Sequence, residues 1–412
     1  MKKTFLFVRI IFICLGVLAL SNYPKHNDFT NKIEPVGIVP DSQNGYGSQP
    51  DQLAQPDDVE FLKDGSILVS DVNNNRLQLY SENGKLLRSI IAADLNLQGE
   101  ITPTGISKDS EQFVYVSLEA AGVIVRLKPD LTFDQLIGEH CDIKDTEYYC
   151  PSNENCLITP QGLIVSPNGD VFIIDMDDSF RRGADGNIRN FGFRKFKKIF
   201  KNGKTTYQFD KKFAATQEIT KVMRKSEGMA IDFAKGLLFV AEEKPLKDQF
   251  NNLDKKRYIA AFDLKTGKFL NKLYGVILKK ESIVDGVFDD SIEGLCIFEN
   301  YLFAVDEKGG CVRAFNIDTG DYLGFWGHRA YYYCDDHSDC EIEGVNYNEQ
   351  TIIAGKAIPH LKNNWKKNEL ASPDGISVTV LKDGSKRLAV VDQWNSRIVI
   401  YDLDQIIQTL GN

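Results

Sequence analysis

The sequence predicts an all-β protein, a six-bladed β-propeller, because a degenerate strand–turn–strand phrase recurs six times along the 412-residue chain. The first and last copies match best. Pro56-Asp57-Asp58-Val59 and Pro373-Asp374-Gly375-Ile376 each lead through Lys-Asp-Gly into a strand that ends in aspartate. The next arginine follows that aspartate after five residues in both copies, at Arg76 and at Arg397. Agreement at several fixed offsets indicates a true repeat.

The four copies between them share the same opening phrase. They begin at Pro103-Thr104-Gly105-Ile106, Pro160-Gln161-Gly162-Leu163, Ser226-Glu227-Gly228-Met229 and Ile292-Glu293-Gly294-Leu295. Short alternating apolar strands follow, with Gly, Asp or Asn at the turns, and these are strand and hairpin signals. Six such sheets bury their faces when they stand radially as blades. We therefore predict one propeller over residues 51–412, with cysteine-containing rim insertions near 140–156 and 327–365.

The N-terminus is typical of a secretory signal peptide. Lys2 and Lys3 precede an apolar run over residues 10–20, and small or polar residues follow it. We predict a signal peptide over residues 1–21, a lead-in over 22–50, and an exported protein that is secreted, periplasmic or on the cell surface. An uncleaved signal anchor is the alternative, and it would be the only contact with a membrane.

The overall charge favours cations over nucleic acid as partners. The chain has 49 Lys and Arg against 58 Asp and Glu, a formal net charge of −9. Nucleic acids and anionic membranes need clustered basic residues, so we expect neither as the main partner.

The eight cysteines predict disulfides in an exported protein. Cys14 lies in the signal, and the others fall into three groups: Cys141, Cys150 and Cys156; Cys334 and Cys340; and Cys296 with Cys311. We expect bridges within each group and one thiol left over. Zinc is the weaker alternative, because no Cys-x-x-Cys pair occurs and the five histidines are scattered.

One position in the repeat predicts a ring of side chains around the propeller axis. It is the residue before the glycine of each opening phrase, or its counterpart Asp57: Asp57, Thr104, Gln161, Glu227, Glu293 and Asp374. Four are carboxylates on blades that are consecutive around a closed ring. Like charges this close either raise one another's pKa or bind a cation, and oxygen donors favour calcium. The alternative is that each acid only caps a turn.

A second set of acids ends the second strand of most blades. Its members include Asp71, Asp175, Glu242, Asp306 and Asp392. An aspartate at a strand end commonly fastens the following turn, so we interpret this set as structural.

The C-terminal half resembles the calcium-dependent β-propeller phytases. The segment from Glu227-Gly228-Met229-Ala230 to Ala241-Glu242-Glu243 is similar to one blade of that family, and Ile292-Glu293-Gly294-Leu295 and Asp374-Gly375-Ile376 are similar to the next two. The resemblance implies that Glu227, Glu243, Glu293 and Asp374 bind calcium ions that hold substrate phosphates and activate water. The N-terminal blades, as over residues 71–80, resemble NHL-repeat propellers.

Three functions follow as hypotheses. The first is a phytase-like hydrolase of phosphomonoesters, acting on inositol phosphates or another phosphorylated small molecule. The basic segment 189–198 would serve it as a phosphate grip, although a solvated charged loop is the more ordinary interpretation of that segment. The second is a non-catalytic binding propeller that recognises a protein or glycan on its rim. The third is a divalent-metal-dependent lyase or lactonase, suggested by His140 and His328.

Overall fold

The computed structural model describes residues 27–40, 47–140, 155–175, 193–214, 226, 228–242, 257–279, 282–284, 287–288, 291–329, 340–342, 345–347 and 368–411. The predicted signal peptide, Glu227 and Glu243 lie outside these ranges. No helix among the described residues is long and apolar enough to cross a membrane.

The described part of the chain is almost entirely β-structure. In chain order the strands are β1 (Pro35–Val39), β2 (Pro56–Phe61), β3 (Ile67–Asp71), β4 (Arg76–Tyr80), β5 (Leu86–Ile91), β6 (Pro103–Lys108), β7 (Val114–Leu118), β8 (Val123–Leu127), β9 (Phe133–Ile137), β10 (Glu139–His140), β11 (Cys156–Leu157), β12 (Pro160–Val165), β13 (Val171–Asp175), β14 (Phe193–Lys201), β15 (Lys204–Phe209), β16 (Met229–Asp232), β17 (Leu237–Glu242), β18 (Tyr258–Asp263), β19 (Phe269–Tyr274), β20 (Ile277–Lys279), β21 (Ser282–Val284), β22 (Ile292–Phe298), β23 (Tyr301–Asp306), β24 (Cys311–Asn316), β25 (Tyr322–Trp326), β26 (His328–Arg329), β27 (Cys340–Ile342), β28 (Val345–Tyr347), β29 (Glu369–Leu370), β30 (Pro373–Val380), β31 (Lys386–Asp392) and β32 (Arg397–Asp402). The helices are Lys211–Ala214 and Leu403–Leu410, with 3-10 turns at Val72–Asn74 and Ala92–Leu95.

Six four-stranded antiparallel sheets form the blades. Blades 1 to 5 are β2–β5, β6–β9, β12–β15, β16–β19 and β22–β25, and blade 6 has the order β30-β31-β32-β1. Each innermost strand contacts the innermost strands of two neighbouring blades, and β2 meets β30 to close the ring. The predicted six-bladed propeller is confirmed.

The N-terminal lead-in closes the ring. Strand β1 pairs antiparallel with β32, with Ile38 opposite Val399 and Val39 opposite Ile398. The first described strand therefore completes the last blade, and the propeller begins before residue 51.

The core is divided among the six interfaces between blades. Each of six buried apolar clusters draws its residues from two consecutive blades. Strand β3 shows why: Leu68 packs toward blade 2, whereas Ile67 and Val69 pack toward blade 6. Successive side chains on a strand point to opposite faces, so a blade covered on both sides needs apolar residues at every position.

The repeated glycine is required by the close approach of the innermost strands. A Cβ on Gly105 would lie 2.6 Å from the Gln161 carbonyl oxygen, and one on Gly294 would lie 2.5 Å from that of Asp374. Each glycine thus lets the backbone of the next blade's innermost strand pack closely against its own strand.

The expected bridge between Cys296 and Cys311 is wrong. Both are buried, and neither forms a disulfide. Strand β23 separates β22 from β24, where Cys296 lies opposite Phe303 and Cys311 lies opposite Asp306. The two strand spacings alone put the cysteines at least roughly 9–10 Å apart, beyond the roughly 7 Å that a disulfide spans between Cα atoms. The bridges expected in the insertions each involve a cysteine outside the described residues and stay predictions.

Candidate functional site

A cavity of about 410 Å³ lies on the propeller axis. The innermost strands of all six blades line it, which makes it the place where the whole repeat converges. Its volume is within the usual range of small-molecule sites.

The structure brings the predicted ring of side chains together at this cavity. Asp57, Thr104, Gln161, Glu293 and Asp374 all line it, and the sixth position, Glu227, lies outside the described residues. We call Asp57, Glu293 and Asp374 the mouth acids, because they stand where the innermost strands begin. They come from blades 1, 5 and 6, which are consecutive in the closed ring.

The mouth acids differ in exposure. Glu293 is only 7% exposed, whereas Asp57 and Asp374 are half-buried. The Gln393 side-chain amide donates a 2.7 Å hydrogen bond to Asp374 and so fixes its orientation. Within the described residues no group of three or more His, Cys, Asp or Glu is arranged to hold a metal ion. The predicted calcium set also includes Glu227 and Glu243, so calcium binding stays a prediction.

Asp58 is a residue of the cavity that the sequence did not single out. It takes the place of the repeated glycine in blade 1, and its carboxylate accepts hydrogen bonds from the backbone N–H groups of Val59 and Ile106, at 2.8 and 2.7 Å. The second bond crosses from blade 1 to blade 2. Burial raises the pKa of Asp58 to about 7, against these two hydrogen bonds, which lower it. The missing glycine in one copy of six was the available signal.

Below the mouth the cavity wall is apolar. The residue after the repeated glycine is apolar in every blade: Val59, Ile106, Leu163, Met229, Leu295 and Ile376. Further down, Lys108 forms an ion pair with Glu60 and donates a 2.6 Å hydrogen bond to the Phe61 carbonyl. Among the described residues that line the cavity, Lys108 is the only one with a basic side chain.

The strand-end acids are structural, as interpreted from the sequence. Four of them pair with an arginine on the next strand: Asp71 with Arg76, Asp175 with Arg194, Asp306 with Arg313 and Asp392 with Arg397. Asp71 and Asp392 also accept backbone N–H groups, from Ala54 and Ala371, in the segment before the innermost strand. These acids are buried and do not line the cavity. In blades 1, 3 and 6 they fasten the segment that leads into the innermost strand, and Asp306 of blade 5 accepts the Gly309 N–H in the following turn.

The basic segment does not supply a phosphate grip in the cavity. Its described part, residues 193–198, belongs to β14, the third strand of blade 3. Its cations form ion pairs away from the axis: Arg194 with Asp175, Lys195 with Asp170, Lys197 with Asp210, and Lys198 with Asp109 and Glu111. That expectation was therefore wrong for these residues.

The two histidines are also away from the axis. His140 lies on β10 and His328 on β26, in short two-stranded ladders outside the blades, and neither lines the cavity. They do not provide an axial metal site.

Comparison with known proteins gives a likeness of shape only. The sequence matches no protein-family model and no curated protein. One similar solved structure is a gluconolactonase from Xanthomonas campestris, which is 13% identical over 85% of this chain and 87% of that chain, with a TM-score of 0.45. A putative gluconolactonase is 12% identical over 90% of this chain and 94% of that chain, with a TM-score of 0.47. A virginiamycin B lyase from Staphylococcus aureus is 12% identical over 88% of this chain and 97% of that chain, with a TM-score of 0.43. These values transfer no activity, and the phytase resemblance gains no support.

Proposed function

We propose that the protein is an exported, calcium-binding propeller that hydrolyses a small phosphate ester at a divalent ion, for which the mouth acids would supply part of the ligand set beside Glu227 and Glu243. The observation that carries the proposal is the convergence of Asp57, Glu293 and Asp374, from three consecutive blades, on one axial cavity. Calcium takes six to eight oxygen ligands in flexible geometry, which fits carboxylates contributed by separate strands.

The residues of the mouth have distinct parts in this proposal. Gln393 orients Asp374 through its amide. Glu293 is almost fully buried, so water would screen the attraction between its carboxylate and a bound cation only weakly. The bound ion would lower the pKa of a coordinated water and neutralise charge on the ester phosphate. Asp58 stands beside the mouth and ties blade 1 to blade 2 there, because its carboxylate accepts the Ile106 backbone N–H.

The charge of the cavity limits the substrate. In the part of the chain that the structure describes, one basic side chain lines it, Lys108, which pairs with Glu60. The acidic side chains that line it there are Asp57, Asp58, Glu60, Glu119, Glu293 and Asp374. A heavily phosphorylated inositol would meet repulsion along most of this wall. We therefore propose a substrate with one or two phosphates that binds together with its cation.

A second candidate function is binding without catalysis. The specific observation in its favour is that Lys108 alone supplies basic charge to the described wall, because phosphoryl transfer depends on positive charge around the transferring group. The ligand would then be a small molecule in the cavity, or a protein or glycan on the rim.

The test combines calcium binding with turnover. Thermal unfolding is followed during a calcium titration, and phosphate release is measured with glycerol 2-phosphate and with phytate, beside hydrolysis of an aliphatic lactone. We expect calcium at a hundred times its Kd to stabilise the protein by about 2.7 kcal/mol, and glycerol 2-phosphate to be hydrolysed faster than phytate.

The controls separate the two candidates. Glu293→Gln and Glu227→Gln should remove most of the calcium shift, whereas Asp383→Asn, an exposed acid away from the cavity, should retain it. A calcium shift with no ester hydrolysed would favour the binding function. If calcium stabilises neither the parent nor the control, the metal site itself is refuted.

A further inference from the structure

The hairpin of strands β14 and β15 in blade 3 extends beyond the described strands of the other blades. In blade 3 the innermost strand ends at Val165, which pairs with Val171, and Val171 pairs with Phe196. Strand β14 then continues for five residues, to Lys201. At roughly 3.3 Å per residue, this adds about 16 Å of strand.

The other blades have no such extension. Their third strands end level with the end of the innermost strand, or within one residue of it, as Leu127 does opposite Val114 and Asn316 does opposite Tyr301. The third strands of blades 1, 4 and 6 end in the same way, at Tyr80, Asp263 and Asp402. The extension is therefore particular to blade 3 and is not part of the repeat.

The extended hairpin concentrates positive charge and ends in an exposed aromatic ring. Residues 193–209 contain six Lys and Arg and no Asp or Glu, in a chain whose net charge is −9. The four cations nearest the blade are neutralised by the ion pairs described above. Lys201 and Lys204 lie opposite each other at the turn, are exposed, and form no ion pair with a described residue. Phe200, beside them, is 73% exposed, the highest value among the large apolar side chains of the described residues.

We propose that this hairpin tip, Ile199–Lys204, docks on an anionic lipid surface. The ring of Phe200 would enter the boundary between headgroups and acyl chains, while Lys201 and Lys204 would contact anionic headgroups. The proposal departs from the expectation that an anionic membrane is not a main partner. That expectation used the net charge of the whole chain, which does not show that basic residues cluster in this hairpin.

A bilayer suits the tip better than a protein partner does. A stable protein interface buries about 800 Å² on each side, and a two-residue turn with one exposed ring offers far less. A lipid surface accepts an isolated aromatic side chain and adds attraction for each nearby cation. An acidic protein is the competing occupant.

Docking by the tip would leave the mouth of the cavity accessible. Strand β14 runs from the level of Ile174, close to the mouth, toward the opposite end of the blade. The tip and the mouth acids therefore lie at opposite ends of the ring, and a docked propeller would open its cavity away from the membrane.

The first test measures protection of individual lysines. The full chain is labelled with an amine-acetylating reagent in the presence of vesicles of phosphatidylcholine, alone or mixed with phosphatidylglycerol, and each lysine is quantified by mass spectrometry. We expect the labelling of Lys201 and Lys204 to fall by about fivefold on the anionic vesicles only. Lys265 and Lys268 are the matched control, since they are exposed at the corresponding turn of blade 4, which has no extension.

This readout remains decisive if the N-terminal apolar segment also binds lipid. If the protein floats with anionic vesicles while Lys201 and Lys204 keep their labelling rate, the proposal is overturned. Protection by an added acidic protein but not by vesicles would assign the tip to a protein partner instead.

The second test compares partitioning of variants. Phe200→Ser and the double variant Lys201→Glu/Lys204→Glu should each lower binding to anionic vesicles by about fivefold or more, and Leu270→Ser, at another exposed apolar residue on an outer strand, should not. The variants change exposed side chains, so their unfolding temperatures should match the parent. Equal partitioning of all four proteins would also overturn the proposal.

Discussion

The mouth acids and the strand-end acids occupy neighbouring positions in the same repeat, yet the ring gives them opposite surroundings. Asp392 is fully buried, pairs with Arg397 and accepts a backbone N–H group from Ala371. Asp374, on the adjacent strand of the same blade, is half-buried and lines an open cavity. Asp392 has an arginine five residues later, and its ion pair with that arginine holds the blade together. Asp374 instead lines the axial cavity, where it is accessible to a ligand.

The largest effect expected from this comparison is on stability. Asp392→Asn leaves Arg397 buried without its counter-charge, so we expect the free energy of unfolding to fall by about 3–5 kcal/mol. The same substitution at the mouth, Asp374→Asn, should cost less than about 1 kcal/mol in the absence of divalent ions, since an amide can still accept the hydrogen bond from Gln393. Urea unfolding measures both values.

One outcome would break the comparison, and a double variant would sharpen it. Equal losses at Asp374 and Asp392 would mean that the mouth acid is structural after all. A double variant with apolar residues at positions 392 and 397 should lose less stability than Asp392→Asn alone, because both buried charges then leave together.

A smaller effect is expected from the repeated glycine. Gly294→Ala places a methyl group 2.5 Å from the Asp374 carbonyl oxygen and 3.0 Å from Ile376, so blades 5 and 6 must separate slightly. We expect a loss of about 1–3 kcal/mol, together with weaker calcium binding, as the mouth acids move apart. Thermal unfolding with and without calcium measures both.

The matched control is Gly37→Ala on strand β1. A Cβ there meets Ile400 at 3.4 Å, an ordinary contact, and the position is far from the axis. If Gly37→Ala costs as much as Gly294→Ala, the close approach at the mouth is not the reason for the glycine.

The smallest effect concerns acids that lie outside both sets, at exposed turns. Asp383 accepts hydrogen bonds from the Ser385 hydroxyl and backbone N–H, at 2.6 and 2.9 Å, and these lower the pKa of Asp383. A lowered folded-state pKa gives stability that is present above the ordinary aspartate value, near 4, and is lost as the pH falls through the folded value.

Asp383→Asn should therefore reduce the unfolding temperature slightly at pH 7, and the difference should disappear below the folded-state pKa. NMR titration of the Asp383 carboxyl supplies that pKa directly. Ser385→Ala should move it back toward the ordinary value, and a titration curve that this variant leaves unchanged would contradict the assignment.

Repeat offsets made the blades, the mouth positions and the strand-end acids predictable. The innermost strands of all blades surround one axis, so the residues before the repeated glycines were expected to lie around the same cavity. Asp57, Glu293 and Asp374 do line it. The match between Asp71 to Arg76 and Asp392 to Arg397 likewise corresponded to a real ion pair.

Features that depend on pairing across the chain, or that depart from the repeat, were not predictable. Cys296 and Cys311 are close in sequence, but an intervening strand separates them. Asp58 takes a new role because it replaces a glycine at a contact between blades. The length of β14 depends on how it pairs with β13 and β15, and the run of Lys and Arg in its sequence does not reveal that register.

The pairing of β1 with β32 joins the beginning of the propeller to its end. A chain emerging from the ribosome or a translocation channel cannot complete its last blade until β32 has appeared, so a premature stop within blade 6 leaves β1 without a partner. Such a pairing of distant segments slows folding. The lead-in thus gives the ring its closure, and the last blade depends on two segments that are far apart in the sequence.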